Sequence, residues 1–349
     1  MAVIGSSTGT VSDTDGKFSL MVEPGRVKLA FSAIGFESKE VEITVISDLD
    51  LGDISLQKNV QELDPMIVTA TMRPMSRSES PLPIQVLSST AFRSDPTPSL
   101  VGAIAQVNGV SPQLNCSVCN TSDIHINGME GPYTMVLIDG MPIVSGLSTV
   151  YGLSGIPTSL IERIEIVKGP GSSLYGSEAM GGVLNIITKS PALADRVSSE
   201  VTASSWGEIH ADVGLASRKD KFSNLFGLNS FYFQNPIDKT GDGFTDLTLQ
   251  KRISLFNKVV LNRPGGKEAS VAIRGIAEER WGGEMNWNKR YQGSNEIYGE
   301  SISTNRVEAI AQYRLPIRER VMAQLSFNSH HQRSFYGTTE YHAVQQVGF

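Results

Sequence analysis

The chain has 349 residues, 40% of them hydrophobic and 19% charged, with a net charge of −6. That length supports two or three cores, and an acidic balance without any Lys/Arg run argues against nucleic acid as a partner. No stretch of about 18 apolar residues occurs, so no membrane-spanning helix is predicted, whereas the strands of a membrane barrel need only about 10 alternating residues and stay open.

Residues 1–57 alternate apolar and polar. Phe18, Leu20 and Val22 share one strand face, Val27, Leu29 and Phe31 a second, and Val41, Ile43 and Val45 a third. Asp13-Thr14-Asp15-Gly16 and Pro24-Gly25 are turn signals between them. The pattern predicts a small β-sandwich-like module whose opening strands would precede Val3. Asp13 and Asp15 admit calcium or a plain hairpin turn, and the turn is the simpler reading. The strings GTVSDTDGKFSL and LAFSAIGFES resemble the carboxypeptidase regulatory-like domain. No His/Glu zinc pattern accompanies them, so no peptidase activity is implied.

Residues 58–80 read as a polar linker with one apolar island, Met66-Ile67-Val68-Thr69-Ala70. Such a β-prone island suits strand addition to a partner. The competing reading is an edge strand packed on a neighbouring domain.

Residues 81–190 read as an α+β domain. Ile84–Leu87 is its first strand. Thr97-Pro98 is a helix start, with Leu100, Ala103 and Ile104 as the apolar stripe. Four strands follow: 124–128, 134–140, 161–170 and 181–188, each closed by a glycine turn or by Thr ahead of Pro191. Gly171 and Gly176 have the gap of a phosphate loop, but Ser177-Glu178 stands where Lys-Ser/Thr is required, which excludes nucleotide binding. Cys116 and Cys119 are the only cysteines. C-x-x-C admits zinc, a redox pair or a tight disulfide; zinc lacks ligands beyond His125, and the pair lies in a loop rather than at a helix start.

The strings VLIDGMPI and IERIEIVKGPGSSLYGSEAMGGVLNIITK, with their spacing, resemble the plug domain of TonB-dependent outer-membrane receptors. Asn127 and Lys168 stand where Arg is common in that family. The resemblance implies a Bacteroidota-type receptor, in which a carboxypeptidase regulatory-like domain precedes the plug. It makes Pro65, Met66, Ile67, Val68, Thr69, Ala70 and Thr71 a TonB box, expected to be extended and mobile and to pair with the TonB protein of the inner-membrane energy complex. In an oxidising periplasm, Cys116–Cys119 is expected as a disulfide that stiffens a plug loop. Cobalamin receptors with a similar plug meet solute on loops corresponding to 115–121, 129–133 and 143–153. Asn115, Asn120, Met129, Glu130, Tyr133, Ser145, Ser148 and Tyr151 are the contact candidates there.

From residue 191 onward long alternating strands appear. Val307, Ala309, Ala311, Tyr313 and Leu315 oppose Arg306, Glu308, Gln312 and Arg314. Val321, Ala323, Leu325 and Phe327 oppose Gln324, Ser326, Asn328 and His330. An uncharged apolar face opposite a polar one suits a barrel wall in contact with outer-membrane lipid. Short turns are expected at 218–221, 262–267 and 316–319, facing the periplasm. Long outer loops are expected at 234–249 and 277–304. In the outer loop, Asp238, Asp242 and Asp246 could hold calcium, or form a plain turn. About seven strands are predicted, against about 22 for a plugged transporter barrel. The chain is therefore expected to be a fragment, truncated at both ends and without a secretory signal.

The fold class expected is mostly β: a sandwich-like module, an α+β plug, and the first strands of an antiparallel barrel. No Ser/His/Asp set or paired-carboxylate site is present. His125, His210, His330, His331 and His342 are scattered, so no enzyme is predicted. The expected function is active import of a scarce solute, a small-molecule metal chelate or vitamin of the siderophore, haem or cobalamin class. The alternatives are a glycan importer working with a surface lipoprotein, and a non-transporting adhesin or signalling receptor.

Overall fold

The computed structural model describes residues 2–4, 8–10, 12–13, 16–31, 39–56, 66–71, 74–89, 100–116, 121–142, 153, 155–263, 269–317 and 321–348. The chain divides into two compact units, Met1–Pro65 and Met66–Phe349.

The first unit is a three-stranded antiparallel sheet of β1 (Ala2–Val3), β2 (Gly25–Phe31) and β3 (Lys39–Val45). Leu29 and Phe31 are its buried residues. The strand expected at Phe18–Val22 does not form, because alternation selects a face but a strand also needs a bonded neighbour. Phe18 instead sits edge-on to Phe31 with ring centroids 5.6 Å apart. Asp13 closes the turn before it, accepting the Lys17 amide at 2.8 Å.

The second unit opens with two short paired strands, β4 (Met66–Ile67) and β5 (Met75–Ser76). A five-stranded sheet follows, built from β6 (Ile84–Ser88), β9 (Thr134–Ile138), β10 (Met141–Pro142), β11 (Ile161–Lys168) and β12 (Gly182–Thr188). Its order is β10-β9-β12-β11-β6, with β9 and β12 parallel and the other pairs antiparallel. The helix Leu100–Ala105 buries the predicted Leu100, Ala103 and Ile104 stripe. The hairpin β7 (Val110–Cys116) and β8 (Thr121–Ile126) covers the same core.

Both faces of this sheet are buried, as near-continuous apolar strands require. Val136, Ile138, Ile164, Ile166, Leu184 and Ile186 meet the helix and hairpin on one face. Met135, Leu137, Val167 and Val183 lie on the other. The turns are Asn127-Gly128 and Asp139-Gly140, both with φ > 0 at each residue. That is the conformation the N-G and D-G dipeptides favour between antiparallel strands.

The remaining strands form one antiparallel sheet in sequential order. They are β13 (Val197–Ala203), β14 (Ile209–Arg218), β15 (Phe222–Phe233), β16 (Leu249–Leu261), β17 (Ala269–Gly283), β18 (Gly299–Arg314), β19 (Met322–Tyr336) and β20 (Thr339–Gly348). Eight strands replace the expected seven. The long outer loop expected at 277–304 is only 284–298, because β17 and β18 continue past the apolar stretch. Two further connections at the same end of the sheet, 204–208 and 337–338, are short.

This wall is inside-out. Val201, Ile253, Leu255, Val271, Ile273, Val307, Leu325 and Phe327 are exposed on one face. Asp212, Asn229, Gln250, Arg274, Glu278, Arg306, Glu308 and His330 are buried on the other. In water such a sheet would be unstable; against lipid it is the required arrangement.

Candidate functional site

The predicted TonB-box segment is docked on the neighbouring sheet. Ile67 is wholly buried, and Thr69 and Ala70 are nearly so. The reason lies in the strand centres of the plug sheet. Glu165 and Asn185 are cross-strand partners on β11 and β12, and both are fully buried among apolar neighbours. A buried carboxylate must find donors. Glu165 Oε2 accepts the Val68 and Thr69 amides, each at 2.9 Å, and the Thr69 hydroxyl. Its Oε1 accepts Arg163 Nε at 2.9 Å. Asn185 Nδ2 donates to Thr69 Oγ1 at 2.9 Å. The Tyr175 hydroxyl donates to the Thr69 carbonyl, also at 2.9 Å. Burial, and then the Glu165 charge, pushes the Tyr175 phenol up to about 12. The segment is thus docked over the centres of β11 and β12. A cavity of about 390 Å³, lined in part by Thr69, Thr71, Leu82, Leu174 and Tyr175, adjoins it. Pro65 lies outside the described residues.

The wall grips the plug at three points. Asp139 accepts the Thr188 amide and hydroxyl at 2.9 and 2.8 Å, and Lys258 of β16 closes on the same carboxylate at 2.7 Å. Gln312 of β18 donates to the Asp139 carbonyl at 2.8 Å. Asp212 of β14 accepts the Thr158 amide and hydroxyl at 3.1 and 3.0 Å. Leu160 fills the space left by Gly214 and Gly227, where a Cβ would strike it.

Of the solute-loop candidates, Met129, Glu130 and Tyr133 are described. Met129 bonds back to Ile126 at the base of the β7–β8 hairpin, and Gly181 donates to the Tyr133 carbonyl at 2.9 Å. This loop therefore lies at the hairpin base, with the whole of β8 between it and the Cys116–Thr121 pair at the far end. Asn120, Ser145, Ser148, Tyr151 and Cys119 lie outside the described residues; Asn115 and Cys116 end β7. Just beyond the 143–153 stretch, Gly155 abuts Ser254 and Arg252 halfway up the wall.

The acidic outer loop is held by its own backbone. Asp238 accepts the Gly241 and Gly243 amides at 2.6 and 2.9 Å, and these bonds keep its carboxyl below the usual range, the Gly243 bond most of all. Asp246 accepts the Lys239 amide at 2.6 Å, and Asp242 the Phe244 amide at 2.9 Å. These bonds describe a plain turn, and among the described residues no cluster of metal-ligating side chains occurs.

The sequence analysis missed Glu165, Asn185, Asp139 and Lys258. The available signal was polar side chains at the centres of strands that are otherwise apolar on both faces.

Residues 76–183 match the TonB-dependent Receptor Plug Domain, and residues 1–68 match the CarboxypepD_reg-like domain. The vitamin B12 transporter BtuB of Vibrio vulnificus is 31% identical over 189 residues, which cover 54% of this chain and 29% of that protein. The siderophore receptor PiuA from Acinetobacter baumannii has a similar fold, with TM-score 0.55 and 13% identity over 75% of this chain and 38% of that one. The ferric yersiniabactin uptake receptor FyuA from Yersinia pestis gives TM-score 0.53 and 15% identity over 76% of this chain and 44% of that one. The ferric-catecholate import receptor Fiu from E. coli K12 gives 0.53 and 12%, over 79% and 45%. At such identities the structural likeness shows the fold alone. The chain spans less than half the length of each of these relatives. Residues 76–183 are thus a plug domain of the kind found in TonB-dependent receptors, held here against a wall whose apolar face looks outward.

Proposed function

We propose that the whole protein imports a scarce solute by energy-coupled transport, and that Met66–Thr71 is the handle by which the TonB protein pulls. The observation that carries this is the docking of the handle on Glu165. The segment offers β-forming Ile67, Val68 and Thr69 to a partner strand, yet its Val68 and Thr69 amides are already occupied. Pairing with TonB then requires release from Glu165, and a pull on the released segment reaches the plug sheet along the chain through β6, the neighbour of β11.

A metal chelate or vitamin is the solute class, with cobalamin first in line. Support comes from the stretch similar to the vitamin B12 transporter, which has the higher sequence identity, whereas the siderophore receptors share only the fold. The test is a binding and uptake panel on the full-length receptor in cells, using cyanocobalamin, haem and ferric catecholate. Cyanocobalamin uptake that collapses when the protonmotive force is dissipated supports the reading. Binding of none of the three redirects it toward a glycan taken up with a surface lipoprotein.

A further inference from the structure

The outward face of the wall changes chemistry along one line. Toward the short connections it is apolar, with Ile253 and Leu255 on β16, Ile273 on β17, Val307 on β18 and Phe327 on β19. Farther along comes a cross-strand row in which Tyr232, Lys251, Glu279, Ser303, Arg333 and His342 are each paired with the next. The connection 284–298 folds back over this row. Lys289 Nζ reaches Glu279 at 3.0 Å. Trp287 packs on Trp281, with ring centroids 5.0 Å apart. Its indole rests on the bare Cα of Gly299, where a Cβ would strike it.

These residues enclose a cavity of about 320 Å³, lined also by Asn288, Gln292 and Ser301. Glu279 is the one carboxylate of the lining, against the outward cations Lys251, Lys289 and Arg333. Arg280, whose backbone adjoins the cavity, turns its side chain inward to buried Glu278, and Arg333 is paired from outside with Glu340. An excess of positive charge remains, and Lys289 and Arg333 stay 75% and 58% exposed.

We infer that this cavity is a binding site on the exterior of the wall for the phosphorylated sugar headgroup of an outer-leaflet glycolipid. Each part of the lining matches a part of that ligand. The partly exposed Trp281 indole, braced by buried Trp287, offers apolar surface for a sugar ring, and the serine hydroxyls and side-chain amides offer hydrogen bonds to its hydroxyls. Ammonium and guanidinium groups neutralise phosphate, the guanidinium with two parallel bonds. The apolar wall on the near side of the row takes the acyl chains, and a tryptophan pair at that level suits a membrane interface. The assignment rests on the connections at 219–221, 262–268 and 315–321 facing the periplasm. It is independent of which solute is imported.

The test is native mass spectrometry of the delipidated full-length receptor, titrated with bis-phosphorylated lipid A, its dephosphorylated form, and inorganic phosphate. The variant Lys251→Gln/Lys289→Gln/Arg333→Gln should retain lipid A about 10-fold less well, with solute uptake unchanged. Dephosphorylated lipid A should bind wild type about 10-fold more weakly, and millimolar phosphate should not displace the lipid. Heat-modifiable migration reports a folded barrel; should the triple variant lack it, the single exposed Lys251→Gln should still lower retention about threefold. Equal retention by a folded variant overturns the site. Displacement by inorganic phosphate alone shows a free-anion site and overturns the lipid assignment.

Discussion

Glu165 is the residue on which the coupling argument turns. Removing its carboxylate leaves two amides and a hydroxyl of the docked segment without an acceptor, a loss of about 2–3 kcal/mol. Glu165→Ala should therefore speed hydrogen exchange at Val68 and Thr69 about 30–150-fold, while the amides of β12 stay protected. Unchanged exchange at Val68 would show that Ile67 burial alone holds the segment. Tyr175 reports the same dock through pH. An unperturbed phenol ionises near 10, and this one is raised to about 12. A raised pKa means that its contribution is complete below about pH 10 and is lost as pH rises through about 12. In a spectrophotometric titration, the difference between wild type and Tyr175→Phe should be a phenol ionising near 12. A difference centred near 10 would mean that the ring is solvated and the dock open.

At the scale of elements, the strands and tight turns were legible because their signals are local. Asn127-Gly128 and Asp139-Gly140 mark their turns with two residues each, and alternation assigns the faces of β18 and β19 without any knowledge of partners. What was not legible depends on distant chain. Glu165 meets Thr69 across 96 positions, so within IERIEIV it reads as one more polar alternate. The ends of β17 and β18 were read as loop because Glu279, Trp281, Ser301 and Ser303 lie beyond the apolar band, where a strand no longer needs an apolar face. Phe18–Val22 shows the opposite error, alternation without a ladder. Two predictions belong here. Gly227→Val should force Leu160 off its seat and lower wall stability by about 1–3 kcal/mol, and Leu160→Ala in the same chain should recover part of that loss. Additive losses in a thermal-unfolding cycle would show that the two do not touch. Ile273→Lys, placed in the apolar band, should cost about 2–4 kcal/mol of barrel assembly. Asn305→Lys, nearer the polar row, should assemble normally; equal losses from both would mean that the outward face is not in lipid.

At the scale of the whole molecule, a plug is clamped to a lipid-facing wall through Asp139, Asp212 and Leu160, and carries a docked strand on its own central sheet. The proposed coupling requires that strand to leave Glu165, pair with an outside partner, and transmit force. Val68→Pro tests this most directly. It removes the Val68 amide, which serves both the dock and any added-strand ladder, and leaves the clamps and the solute loops untouched. Cells producing the full-length receptor with this change should bind the solute found by the uptake panel within about twofold of wild type, while its uptake falls to that of cells lacking the receptor. Uptake at the wild-type rate, at equal receptor abundance, would contradict the account and leave Met66–Thr71 as a packed edge strand with no part in coupling.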